Sequence, residues 1–374
     1  MTPIIYFIPL IFLAIAWLLQ LYYQLGVYLK LYRFPVSSLQ EEKNNPPLSV
    51  VICARNEEKN LSQFLPFVLE QDYPDFEVVV VNDCSSDDSE WLLKTFSEQY
   101  KHLNVVNIKE HPRYKHGKKF AATIGIKAAK NNHLVFTDAD CKPASSQWLR
   151  HMGNSFRQGI EIVLGYSPYF KKPGFLNKYI RFETFHTATS YLSYSLKGCA
   201  YMGVGRNMAY TKDLFFKGKG FASHMHIPSG DDDLFVNQNA TKANTTICIH
   251  PQAQLWSEPK LSLGEYYSQK LRHHGASKAY KGVHKWMLTS QLLSAVVFYI
   301  LLIVAFFIYP QFWEFLLIAY LLRLLVQTIV YQPIMKKLQV LDIIAYLPIL
   351  DFVYYFNTCV NGFLSLFKRK VKWK

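Results

Sequence analysis

The sequence predicts an α/β domain on a mostly parallel, doubly wound (Rossmann-like) sheet, carried between apolar helices long enough to cross a membrane. Three observations predict it. Short hydrophobic runs alternate with amphipathic stretches from Leu48 to Phe136. No charged residue occurs from Met1 to Leu29. A second uncharged run extends from Trp286 to Trp313.

In chain order, the apolar N-terminal stretch comes first. A helix rises about 1.5 Å per residue, so ~20 apolar residues cross a ~30 Å hydrocarbon core, and residues 3–24 suffice. The basic n-region and short h-region of a signal peptide are missing, so residues 1–30 read as a transmembrane anchor. The polar stretch Ser37–Pro47 is a linker. Leu48–Ala54 reads as a buried strand, followed by a helix from about Glu57 to Gln71 that Pro66 is expected to kink. Phe76–Val81 is a second strand, and its consecutive valines 78–81 are the pattern of a strand covered on both faces. A helix at about 87–100, the strand Leu103–Ile108, a helix at about 118–130 and the strand His133–Phe136 follow. This alternation argues for a parallel sheet, whose ligands lie beyond the carboxyl ends of the strands. The soluble domain is expected over residues 47–261.

Residues 262–286 read as an interfacial amphipathic segment and 287–367 as a C-terminal transmembrane region, with a basic tail at 368–374. Pro310 divides the region into spans at about 288–309 and 313–333, with Arg323 charged inside the second. The stretch 339–367 is apolar but contains Asp342 and Asp351, which are costly at bilayer depth. Lys30 and Arg33 on one side of the domain, and Lys270 to Lys285 on the other, put the domain in the cytoplasm. The basic tail would fall outside if 339–367 crossed, so that segment is expected to dip into the bilayer without crossing. A multi-pass integral protein of a bacterial inner membrane is the expected localisation. The net charge of +14 gathers beside these segments, where it meets anionic membrane lipids rather than nucleic acid. Six cysteines without C-x-x-C spacing fit a reduced cytoplasmic domain and exclude a disulfide framework.

Three loops at the carboxyl ends of the strands carry polar chemistry: Ala54-Arg55-Asn56-Glu57, the stretch Asn82–Ser89, and Asp138-Ala139-Asp140. Ser86, Asp87 and Asp88 read equally well as N-cap and first-turn residues. Asp83 stands at the strand end itself, where a carboxylate accepts from a base N–H. Two carboxylates at a strand end can share a divalent cation that grips a diphosphate, and oxygen ligands suit Mg2+ or Mn2+. His116-Gly117-Lys118-Lys119 opens a helix whose N-terminus favours anions; Lys119 reads as a solvated lysine. Gly203-Val204-Gly205-Arg206-Asn207-Met208 lacks a surrounding βαβ unit and is no dinucleotide loop. Ser229-Gly230-Asp231-Asp232-Asp233-Leu234 crowds three carboxylates. Their repulsion raises at least one pKa when they are partly buried, as a general base needs; Asp233 also reads as an acid at a helix N-terminus. Gln269-Lys270-Leu271-Arg272-His273-His274 comes last.

In this order the motifs resemble the membrane-anchored family 2 glycosyltransferases of GT-A fold, over roughly residues 47–275. The resemblance implies that Ala54, Arg55, Asn56, Glu57 and Asp83 hold the uridine of a UDP-sugar, with Asp83 at the uracil ring, and that Lys118 meets the diphosphate. It implies that Asp138 and Asp140 form the metal-binding Asp-x-Asp for Mg2+ or Mn2+, Asp140 touching the metal and Asp138 also holding ribose and sugar. Gly203–Met208 would lie beside sugar and acceptor. The family's acidic motif ends in the base that deprotonates the acceptor; spacing to Leu234 assigns Asp231, and alignment of Gly-Asp-Asp assigns Asp232. Gln269 and Arg272 match a Gln/Arg-x-x-Arg-Trp helix at the membrane, with Arg272 on the diphosphate and His273 in place of the tryptophan. The expected activity is single, inverting transfer from a UDP-sugar to the hydroxyl of a membrane-associated lipid or glycan acceptor, as in ceramide-type glucosyltransferases. The alternatives are a processive polysaccharide synthase of the same family, a non-catalytic nucleotide-binding scaffold, and a metal-dependent nucleotidyltransferase. The last leaves the Asp231 region and the spans without a role.

Overall fold

The computed structural model describes residues 3–36, 45–109, 117–157, 159–227, 229–273 and 275–367. Most of the expected linker, His116, His274 and the basic tail lie outside the described residues, as do the side chains of Arg272 and His273. The described residues form nine strands: β1 (Leu48–Ala54), β2 (Phe76–Asp83), β3 (Leu103–Ile108), β4 (His133–Asp138), β5 (Cys141–Pro143), β6 (Ile162–Leu164), β7 (Met208–Thr211), β8 (Thr245–Ile247) and β9 (Leu255–Ser257). Seven form one sheet in the order β3-β2-β1-β4-β7-β6-β8, and β5 pairs with β9. β1 to β4 are parallel, whereas β7 runs antiparallel between β4 and β6. The sheet is thus mostly parallel at the half that bears the strand-end loops.

The valine run has a physical reason. Val78 and Val80 pack in one buried cluster with Leu61 and Leu65. Val79 and Val81 pack in the other with Ala121, Ile126 and Phe182. Fully burying such a side chain stabilises by about 1.5–3 kcal/mol, so a register slip in this strand would be costly. β2 and β4 continue past their hydrophobic runs to end on Asp83 and Asp138. Ala54 pairs with Asn82 and Cys53 with Asp138, which brings Ala54, Asp83 and Asp138 to one edge. Pro66 sits inside the helix Glu58–Leu69, which runs on through it.

Among the described residues four helices are long and apolar enough to cross a membrane: Tyr6–Arg33, Gly282–Ile308, Pro310–Lys337 and Leu341–Leu364. The first includes a π-helical stretch, Tyr22–Tyr28. The fourth, expected to dip without crossing, is by length and composition able to cross. A 3-10 turn at Leu341–Tyr346 leads into an uninterrupted helix, Leu347–Phe367, whose 21 residues span ~31 Å. The acids that argued against a span are both paired. Asp342 accepts two bonds from Arg181, at 2.9 and 2.5 Å. Asp351, fully buried, accepts from Arg323 at 2.7 Å, Tyr299 at 2.6 Å and Gln327 at 2.7 Å. Arg323 also donates to Gln20 at 2.6 Å. A buried ion pair survives only when its remaining hydrogen-bonding groups are satisfied, and this one is supplied from all four apolar helices.

These helices share a core with the domain. Phe182, Phe185 and Tyr191 of the helix Phe175–Leu196 pack in one cluster with Tyr28, Leu31, Tyr331 and Ile334. Lys337 Nζ donates to the carbonyls of Leu31 (3.1 Å), Tyr32 (2.5 Å) and Phe34 (2.7 Å). Gln254 of the domain donates to the Lys337 carbonyl at 3.0 Å.

Candidate active site

The loops after β1 and β2 are joined by hydrogen bonds. Asn56 and Cys84 both adopt positive φ of 55°, a conformation that non-glycine residues enter only when their surroundings hold them there. The Asn56 side-chain carbonyl accepts from the Ser86 N–H at 2.8 Å, and the Asn56 N–H donates to Ser85 Oγ at 2.9 Å. Asp87 accepts from the N–H groups of Glu58 (3.0 Å) and Ser89 (3.2 Å), so it serves two helix starts at once. Beneath this zip Asp83 is fully buried. Ala54 is buried and Arg55 half-buried beside it, while Glu57 accepts from Asn60 at 2.5 Å.

Lys118, first residue of the helix Lys118–Ala128, joins the two halves of the site. Its Nζ lies 2.8 Å from Asp138 Oδ1 and 3.6 Å from Asp231 Oδ2. Burial works against its charge, but Asp138, Asp231 and Asp232 together outweigh it and hold the ammonium well above the usual lysine range. Burial likewise pushes the Asp231 carboxyl upward; Lys118 pulls it down, Asp232 and Asp138 push it further up, and the net direction is up. Asp232 is engaged differently. Its Oδ2 accepts from the Gly205 N–H at 2.7 Å and its Oδ1 from the Asp233 N–H at 2.8 Å. A Cβ at Gly205 would stand 3.0 Å from Asp232 Oδ2, so a larger residue there would press on this carboxylate. Asp233 is raised well above its ordinary value, by burial first and by Asp232 next.

Lys118, Asp138, Asp140, Gly203–Arg206 and Gln269 line one open cleft of about 270 Å³. Arg206 on the cleft and Lys119 behind it escape the sequence reading. Arg206 stacks its guanidinium 4.5 Å from the Tyr169 ring centroid and reaches the Ser167 carbonyl at 3.4 Å; the available signal was that it is the one charge in the Gly-rich segment. Lys119 is not solvated. It is 4% exposed and bonded to the segment at His224 and Ile227, because residues 221–227 fold over the helix start. Gln269 lies on the helix Leu263–His273, which also carries Arg272 and His273. Lys270 pairs with Glu183 at 2.7 Å, Tyr266 donates to Glu183 at 3.0 Å, and Tyr267 donates to Asn357 at 2.6 Å. These bonds fix that helix against Phe175–Leu196 and the last apolar helix.

Among the described residues no group of three or more His, Cys, Asp and Glu could hold a metal by itself. Asp138 and Asp140 offer two carboxylates on an open cleft. That donor set fits Mg2+ or Mn2+, hard cations that keep waters and complete their shell with phosphate oxygens.

Comparison with known proteins accords with this geometry. The model of glycosyl transferase family 2 matches residues 49–217. Glycosyltransferase AglE of Haloferax volcanii is 32% identical over 123 residues, covering 32% of this chain and 39% of that protein. The 4,4'-diaponeurosporenoate glycosyltransferase of Staphylococcus aureus is 29% identical over 127 residues, 34% of this chain and 32% of that protein. The chain therefore spans well under half the length of these curated relatives. Among solved structures, the mannosyltransferase PcManGT of Pyrobaculum calidifontis, in complex with GDP-Man and Mn2+, superposes with a TM-score of 0.57 at 16% identity, covering 96% of this chain and all of that one. The matched region and the shared fold lead to one conclusion: residues 49–217 match glycosyl transferase family 2, and they sit on a GT-A-like fold attached to helices apolar enough to cross a membrane.

Proposed function

We propose that the protein transfers a single sugar from a UDP-sugar to the hydroxyl of a membrane-associated lipid acceptor at the cytoplasmic face, with inversion. The observation that carries this reading is Lys118 between Asp138 and Asp231, at 2.8 and 3.6 Å, on the cleft that extends to Gln269. Ala54, Arg55, Glu57 and Asp83 would seat the uridine, and Asp138 the ribose and sugar. Lys118, with Arg272 across the site, would meet the diphosphate. Asp231 would take the acceptor proton as the hydroxyl oxygen attacks the anomeric carbon and the bond to UDP breaks. Its raised pKa suits that role, and Asp232, occupied by two backbone N–H groups, is the positioner of the turn. Lys118 would counter the charge that gathers on departing UDP. A divalent cation held by Asp140 and Asp138 would supply further neutralisation of that diphosphate.

The test is UDP release by the full-length protein from a panel of UDP-sugars, with GDP-mannose as comparator, in the presence of membrane lipid extract. Products would be identified by mass spectrometry. A glycosylated lipid formed with Mg2+ or Mn2+, and absent with Asp140→Ala, is the expected result. No nucleotide release above the Asp140→Ala control would end the enzyme reading, and ladders of long polymer would replace single transfer with processive synthesis.

A further inference from the structure

Lys118 and Lys119 are neighbours in sequence but face opposite tasks. Successive helical residues project about 100° apart, so while Lys118 reaches Asp138 and Asp231, Lys119 reaches back beneath the chain that leads to Asp231. Its ammonium has three N–H groups and meets three acceptors: His224 Nδ1 at 2.8 Å, the His224 carbonyl at 2.7 Å and the Ile227 carbonyl at 3.0 Å. Both partners in the side-chain contact are closed to solvent, with Lys119 at 4% and His224 at 1% exposure. Burial, with Lys119 next to it, lowers the His224 imidazole to about 4, so the ring is neutral and its Nδ1 accepts. Burial also lowers Lys119 to about 8, with Asp231 and Asp232 opposing that shift. Phe221 and Ile227 fix the ends of the segment in the core, and Lys119 is the polar tie between them. Ala222–His224 is a single 3-10 turn, Met225 and His226 are exposed, and Ser223 bonds to Gln238, at 3.0 Å, on the surface.

We propose that Lys119 is a positioning residue: it ties the backbone at 224 and 227 to the first turn of the Lys118 helix and thereby sets the position of Asp231. One helical turn then fixes both the cation on the donor side and the carboxylate on the acceptor side. This inference rests on Asp231 being the base of the proposed transfer. An ordinary buried lysine would stabilise the fold without separating the two half-sites, so the kinetic signature distinguishes them.

The experiment compares Lys119→Met and Lys119→Arg with wild type in full-length protein. For Lys119→Met, KM for the UDP-sugar should stay within about threefold, since the nucleotide loops and Lys118 are untouched. Its kcat should fall about a hundredfold, the scale of a displacement near 1 Å. Lys119→Arg, which keeps the charge and the donors, should recover part of kcat. Hydrogen exchange, read in parallel, should speed up at 222–227 and 231–234 in Lys119→Met and stay unchanged at 76–83. A kcat near wild type, or KM and kcat lost together with faster exchange across the whole sheet, would overturn the assignment. If wild type itself turns over no UDP-sugar, the proposed function fails on its own. The exchange data still decide the tie, because unchanged exchange at 222–227 means Lys119 holds nothing there.

Discussion

Two charge clusters among the described residues are built on opposite principles. In the apolar helices Arg323 and Asp351 are matched one to one, at 1% and 0% exposure, and every oxygen of Asp351 is taken by Arg323, Tyr299 or Gln327. In the domain Lys118, with Lys119 and Arg206 farther off, stands among the more numerous acids Asp138, Asp140, Asp231, Asp232 and Asp233, and the group opens on a cleft. The first cluster is balanced and closed, as a low-dielectric site requires. The second carries excess negative charge at the site where a cation and a diphosphate are proposed to arrive. Closure marks a structural pair, and imbalance beside a cleft marks a binding site.

The contrast can be broken from either side. The largest effect belongs to Asp231→Asn, which should lower transfer about 10²–10⁴-fold while leaving UDP affinity near wild type in a direct binding measurement; unaltered turnover would remove Asp231 as the base. Asp351→Ala should act on stability instead. It leaves Arg323 buried without its partner, at a cost of about 3–5 kcal/mol, visible as a lower melting temperature in detergent with turnover per folded molecule retained. The double replacement Arg323→Met with Asp351→Leu should regain most of that loss, because an apolar pair of similar volume replaces the ion pair. The smallest effect is a displaced pH profile. A base works ionised, so activity rises with pH through the pKa of Asp231, which burial raises and Lys118 lowers. Lys118→Met should therefore move the acid limb of kcat/KM to higher pH, and a limb that moves down or stays would separate Lys118 from the base.

How much of this was legible in the sequence depends on how local the cause is. The strands from Leu48 to Asp138 were legible because both sheet faces are covered, which forces unbroken apolar runs ending on polar residues. Asp83, Asp138 and the Asp231 turn were legible because carboxylates at strand ends and crowded acids stand out against such runs. Lys119 was not. Whether a lysine is solvated or buried turned on residues 221–227 folding over it, a contact between segments about a hundred positions apart. The pairing of Asp351 was hidden for the same reason: taken singly the acid is costly inside an apolar helix, and only the distant Arg323 offsets that cost. Arg206 lay in a segment noticed for its glycines, and its stacking on Tyr169 leaves no mark on local pattern.

Lys337 reaches the carbonyls of Leu31, Tyr32 and Phe34 while Gln254 holds the Lys337 carbonyl, so the entry to the domain, the end of the third apolar helix and the domain itself meet at a single knot. In the proposed membrane arrangement the catalytic carboxylates then stand at a constant height over the lipid surface. Such a standoff acts as a ruler. An acceptor whose hydroxyl projects to that level meets Asp231, one with a shorter head group stays below it, and selection by reach needs no side chain that reads the acceptor's identity.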